Sequence, residues 1–293
     1  MKYPASLPPA VWFIAPALGL IAVFFFLPMA AALLLGFTDF DIYALGRLDR
    51  LRWVGLENYR RLLADPLFWQ ALVNTAYFVV LGGPLSVLVS LGTALLVNHR
   101  LARWRGVFRS LLFLPVVTTL VAVAVVWRYL YQPRQGLLNH LLGLAGLPPI
   151  DWLGDPHWAM PAIVLMAVWK NFGFNMVVFV AGLQSIPRRL YEAAEIDGAD
   201  GWQQFRHITL PMLAPTFLFV TVITLIGYCQ LFAEPYVMTQ GGPSDSTLSI
   251  ALLMFQEGFR WWNLGYAAAI SFMLFLIVLA GTLLQARLRR GRG

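Results

Sequence analysis

The stretch SIPRRLYEAAEIDGADGWQQFRHITLP, residues 185–211, is polar where the sequence on both sides of it is apolar. Arg188, Arg189, Glu192 and Glu195 alternate at helical spacing with Leu190, Ala193 and Ala194, which describes a short helix with a small apolar face. Gly198 ends that helix, because glycine enters left-handed backbone without a steric penalty. Asp200 stands where an N-cap belongs, ahead of a second helix that carries Trp202, Phe205 and Ile208 on one stripe. The stretch therefore reads as helix, bend and helix, joining two runs long enough to cross a bilayer.

Outward from this connector the chain is built of such runs. Of its 293 residues 59% are hydrophobic and 12% charged, which excludes an ordinary soluble domain. Six runs reach the length of about 20 residues that a membrane helix needs, at 11–36, 69–97, 110–131, 159–182, 212–233 and 264–286. The sequence predicts an all-α, polytopic membrane protein with six transmembrane helices. Its parts are an N-terminus (1–10), a six-helix domain (11–286) and a basic tail (287–293). Run 11–36 follows Lys2, contains Pro16 and Pro28, and is too long for a signal-peptide core, so it reads as a retained helix. Gly82-Gly83-Pro84 predicts a kink in the second span.

Charge sets the expected orientation. Arg100, Arg103, Arg105 and Arg109 follow the second span with no acidic residue among them, and Arg287, Arg289, Arg290 and Arg292 end the chain. Placing these segments and 185–211 inside obeys the positive-inside rule and puts both termini in the cytoplasm. Connector 37–68 disagrees: Arg47, Arg50, Arg52, Arg60 and Arg61 would lie outside, set against Asp39, Asp41, Asp49, Glu57 and Asp65. The outer segment 234–263 holds a Gly241-Gly242-Pro243 turn and an amphipathic stretch at 249–259. The net charge of +7 sits at membrane edges, which suits anionic headgroups and no nucleic acid.

Cys229 is the sole cysteine, and His99, His140, His157 and His207 are scattered over separate connectors, so no metal set is expected. Nucleotide-binding and hydrolase signatures are lacking, and no cofactor is expected on this chain. Polar side chains within spans are the functional candidates. Lys170, Asn171 and Asn175 occur together in the fourth span, the two asparagines four apart and so on one face. Tyr228, Gln230 and Glu234 approach the end of the fifth, where Tyr228, Phe232 and Tyr236 recur every four residues. Amides and aromatic faces are sugar-binding chemistry; amides are equally the glue between membrane helices.

Glu192-Ala193-Ala194, three residues, Gly198, nine residues and then Ile208-Thr209-Leu210-Pro211 resembles the EAA loop of bacterial ABC importer permeases. Further pieces follow in order: Gly55-Leu56-Glu57-Asn58-Tyr59, Asn74-Thr75, Gly136-Leu137-Leu138-Asn139, Trp169-Lys170 and Thr239-Gln240-Gly241-Gly242-Pro243. With these, nearly the whole chain resembles the carbohydrate-uptake permeases of the maltose and sn-glycerol-3-phosphate type. The resemblance implies a type I importer permease fold with a cytoplasmic EAA coupling loop, in a bacterial inner membrane. It also implies a heterodimer with a second permease, two ATPase subunits that hold ATP and magnesium, and an external substrate-binding protein. Coupling falls on Tyr191, Glu192, Ala193, Ala194, Asp197, Gly198 and Ala199. A neutral mono- or oligosaccharide is the expected substrate, since Lys170 is the one firm cation in the spans and a phosphate favours an arginine cluster. The alternatives are glycerol phosphate or another polyol in the same transporter type, or an ion-coupled secondary transporter. That last class calls for paired carboxylates, and none lies inside a span. An intramembrane enzyme would need catalytic pairs where this chain has none, its histidines all being in connectors.

Overall fold

The computed structural model describes residues 9–44, 51–98 and 104–290. The arginines at 47, 50, 100, 103 and 292, together with Asp49 and His99, lie outside the described residues. Among the described residues the fold is helical, with one isolated β-bridge, Thr38 to Trp53. In chain order, α1 covers residues 9–35, α2 is Glu57–Ala64, α3 Pro66–Asn98, α4 Arg105–Val117, α5 Leu120–Leu130 and α6 Leu137–Leu144. Then come α7 (Pro156–Ser185), α8 (Arg188–Ile196), α9 (Gly201–Met212), α10 (Ala214–Cys229), α11 (Ala233–Met238), α12 (Ile250–Phe255) and α13 (Leu264–Arg290). Four helices are long and apolar enough to cross a membrane, and six spans result if the bent pairs α4–α5 and α9–α10 each count as one.

The chain divides into two compact units. In the first, Met1–Asp65 with Met254–Met273, helix α1 exposes its apolar residues over nearly all its length. The Asn58 amide donates to the carbonyls of Gly36 (3.0 Å) and Thr38 (2.8 Å), and Phe37 stacks on Trp53. Gly55 enters this turn at φ +59°, the backbone that glycine favours. Tyr266 donates to Asp65 (3.0 Å) while Arg61 lies over the Tyr266 ring.

The second unit, Pro66–Leu253 with Leu274–Gly293, is organised by α7, whose Asp155 N-cap accepts from the His157 N–H. Small residues let backbones approach it: Ser90 of α3 donates to the Phe172 carbonyl, and a Cβ on Gly173 would meet the Leu112 carbonyl oxygen of α4 at 2.4 Å. One buried cluster gathers Phe78, Trp127, Tyr131, Ile163, Met166 and Tyr228; another gathers Val87, Leu91, Met176, Phe179, Leu183 and Leu213.

Prolines explain three of the four π-helical turns among the described residues, the turn at Gln256–Arg260 having none after it. π-Helical turns at Ala22–Phe26, Phe78–Gly82 and Phe205–Thr209 each stand one or two residues before a proline, Pro28, Pro84 and Pro211. A proline ring clashes with the carbonyl four residues back and has no N–H to offer it, and one inserted residue relieves both conflicts. The expected kink at Gly82-Gly83-Pro84 is thus absorbed as a π turn, and α3 runs on as one 33-residue helix.

Two expected spans differ. Run 110–131 is no single helix: α4 and α5 meet at 96°, because Thr118 and Thr119 take extended backbone after Pro115-Val116-Val117. The fifth run ends at Cys229, short of residue 233, because Leu231 and Phe232 leave the helix; α9 joins α10 at 65°. The stretch expected to be amphipathic at 249–259 instead opens with Ser249, Ile250, Ala251, Leu252 and Leu253 all buried. Segment 239–249 is irregular and deeply held. Asn74 of α3 donates to the carbonyls of Asp245 (2.7 Å) and Leu248 (2.9 Å), Thr75 accepts from the Ile250 N–H, and Ser249 donates to the Leu231 carbonyl.

Candidate functional site

Where α10 breaks, its last turn, the 230–232 linker and the start of α11 face α7 across a cavity of about 470 Å³. Asn171, Asn175, Tyr228, Gln230 and Glu234 all line it, beside Phe78, Phe174, Thr224 and Phe232. Asn175 donates to the Thr224 hydroxyl at 3.0 Å, so its amide is partly committed to holding α7 against α10. Tyr228 is placed by packing: its ring stacks on Phe78 at 4.8 Å and fills the space a Cβ on Gly82 would need. Its buried hydroxyl closes no hydrogen bond of good geometry, and the side chains of Ser86 and Asn171 are its polar neighbours.

Lys170 is not among these lining residues. Its side chain is buried, and the ammonium donates to the Val116 carbonyl at 3.0 Å. Val116 lies in the last turn of α4, where the 96° bend leaves carbonyls without helical partners and the helix end favours a cation. The mid-span lysine thus has a fixed structural partner. The expected face of Tyr228, Phe232 and Tyr236 is broken as well: α10 stops between them, Phe232 and Tyr236 stack on each other, and Tyr228 turns to Phe78.

At the other end of α7, Ile186 and Pro187 lead into α8. Gly198 sits at φ +76° and closes α8 with two reverse bonds, from its own N–H to the Glu195 carbonyl and from the Ala199 N–H to the Ala194 carbonyl. Asp200 caps α9 in a reciprocal box with Gln203, as the sequence predicts. Tyr191 faces inward and its hydroxyl pairs with that of Thr209 at 2.9 Å, fixing α8 against α9. Glu192, Ala193, Asp197 and Gly198 are exposed, with Ala194 and Ala199 half-buried, and Glu192 pairs with Arg188 at 3.6 Å. The apolar residues Leu190 and Ala193 are left uncovered along with Ile196, which is 87% exposed.

Residues 62–292 match the model of the binding-protein-dependent transport system inner membrane component family. The chain belongs to this family. It is a permease component of an inner-membrane transport system, a transporter part and not an enzyme. This permease is 39% identical to the lactose transport system permease protein LacF of Rhizobium radiobacter, over 96% of its own length and 93% of that protein's. It is 38% identical to the trehalose/maltose transport system permease protein MalF of Thermococcus litoralis, over 82% and 81% of the two chains. Its fold is similar to that of a bacterial ABC transporter involved in importing the acidic polysaccharide alginate, with a TM-score of 0.80 at 23% identity over 96% of each chain.

In the permease cavity, sequence reasoning missed Phe78, Phe174 and Thr224. A signal for two of them was present: Thr224 stands four residues before Tyr228 on α10, and Phe174 three after Asn171 on α7. Phe78 comes from a distant helix, and nothing local marks it.

Proposed function

We propose that the permease translocates a neutral mono- or oligosaccharide through the cavity between α7 and α10. The carrying observation is one wall that combines uncharged hydrogen-bonding groups, Asn171, Asn175, Gln230 and Tyr228, with the aromatic rings of Phe78, Phe174 and Phe232. Amides and hydroxyls exchange donors and acceptors with sugar hydroxyls, and aromatic faces cover the C–H faces of a pyranose. The names of the lactose and trehalose/maltose relatives agree with that chemistry.

The uncovered face of α8 serves as the docking surface for an ATPase subunit, with ATP and magnesium bound there and none on this chain. Ala193 and Ala194 permit close approach, and Glu192 offers a charge to a cationic partner. A second, different permease completes the pathway, and an external binding protein delivers the sugar. The loop 185–211 and both termini face the cytoplasm of a bacterial cell, as the arginines at Arg109 and Arg287 and their neighbours in sequence require.

Transport in a strain lacking the permease tests this reading. Restoring the wild-type chain is expected to restore binding-protein-dependent uptake of one neutral sugar. Asn171→Leu, present in the membrane at equal amount, is expected to cut that uptake about tenfold or more through one unpaired sugar hydroxyl. Undiminished uptake of every sugar in the deleted strain would refute the proposal.

A further inference from the structure

We infer that Glu234 is a selectivity residue, whose carboxylate makes this cavity accept uncharged sugars and turn away anionic ones. The inference rests on the sugar-permease reading and adds to it a rule about charge. Glu234 is the one acidic residue among those lining the cavity, and the lining includes no lysine or arginine. It retains accessible surface although deep in the protein, the condition of a group that faces an internal space. The sequence offers both Lys170 and Glu234 as charged candidates, and only Glu234 is among the residues lining the cavity. The lysine ammonium is held on the Val116 carbonyl and Lys170 is outside the lining, while Glu234 is part of it.

The groups around Glu234 do not cancel its effect on an incoming anion. Lys170 lies within Coulombic range, so the wall is not a bare negative charge. A substrate carboxylate in the cavity would nevertheless meet a lining that includes Glu234 and excludes Lys170. Two unit charges roughly 6 Å apart at an effective dielectric of about 20 repel strongly enough to change binding about a hundredfold. A neutral sugar gains instead, because a carboxylate accepts strong hydrogen bonds from hydroxyls. Glu234 also sits in the first turn of α11, where an acidic side chain favours the helix N-terminus. The test must separate that role from selectivity.

Glu234→Gln keeps the length and an accepting oxygen while removing the charge. Equilibrium binding to the permease assembled with its partner subunits, in detergent at pH 8 and again at pH 9 because burial favours the neutral form of this carboxyl, is measured for three probes. Lactose reports on the sugar reading; lactobionamide and lactobionate form a pair that differs mainly in charge. The wild type is expected to bind lactose, and to bind lactobionamide at least about tenfold more tightly than lactobionate. Glu234→Gln is expected to reduce that ratio to about threefold or less while lactose binding and thermal stability change little. Equal wild-type binding of the charged pair, or a ratio unmoved by Glu234→Gln, overturns the selectivity rule and leaves the sugar reading standing. A ratio that falls only together with lactose binding and stability assigns Glu234 to α11 and also overturns it. Failure of the wild type to bind any of the three overturns the sugar reading and the selectivity rule with it.

Discussion

Loop 185–211 and segment 230–249 both interrupt helices, and they do so by opposite means. The first projects, with the α8 face of Leu190, Ala193 and Ile196 uncovered, and its turns are closed by neighbours in sequence: Ala199 to Ala194, Gly198 to Glu195, Gln203 to Asp200. The second, apart from α11, is irregular backbone at core depth, with Leu231, Thr247, Leu248 and Ser249 buried; beside local bonds such as Thr247 to Gly241, it is tied by Asn74, some 171 residues earlier, at the Asp245 and Leu248 carbonyls. A connector built from local bonds can present a face to another protein without the rest of the chain. One built from distant bonds can shape a cavity wall, because irregular backbone is tolerated at membrane depth only where protein satisfies it.

The largest effect is expected where the exposed connector is altered. Ala193→Trp puts bulk on the uncovered face of α8, and Gly198→Val forces a β-branched residue into φ +76°, although no atom lies within 4 Å of the added Cβ. Both variants are expected to assemble and yet lose nearly all substrate-stimulated ATP hydrolysis in the reconstituted complex. Normal stimulation would make this connector as passive as any surface loop and erase the contrast.

A smaller effect, on stability, is expected from Asn74→Leu, which takes the side-chain donor from the Asp245 and Leu248 carbonyls and leaves Asp245 only the Leu248 N–H. Thermal unfolding of the purified permease should show a loss of roughly 2 kcal/mol. A loss no greater than that of a surface change would mean that segment 239–249 holds itself. The smallest effect belongs to Asp245→Gly. Asp245 contributes its backbone carbonyl to Asn74 and sits at φ +56°, a conformation glycine adopts freely, so the same measurement should move by about 0.5 kcal/mol or less. A larger loss would show that its side chain, and not only its carbonyl, anchors the segment.

Legibility in the sequence follows the same division. Gly198 as a helix stop and Asp200 as a cap were readable because each acts on residues within five of itself. Five of the six polar candidates line one cavity: helical spacing puts Asn171 and Asn175 on one face of α7, and the break after α10 turns Gln230 and Glu234 to the same space as Tyr228. The 96° bend was hidden, since Thr118 and Thr119 are apolar enough by composition to continue a span, and only their extended backbone divides it. Lys170 was visible as a costly residue, but its partner is a backbone carbonyl, which has no letter in a sequence.

The Lys170 contact also has a direction in time. The Val116 carbonyl precedes the lysine by 54 positions, so during N-to-C synthesis the acceptor is made before the ammonium that needs it. When α7 enters the bilayer, α4 can already supply a place for its charge. The order of the spans along the chain therefore gives this buried cation a hydrogen-bond acceptor made before it, while Glu234, the charge within Coulombic range, is translated later.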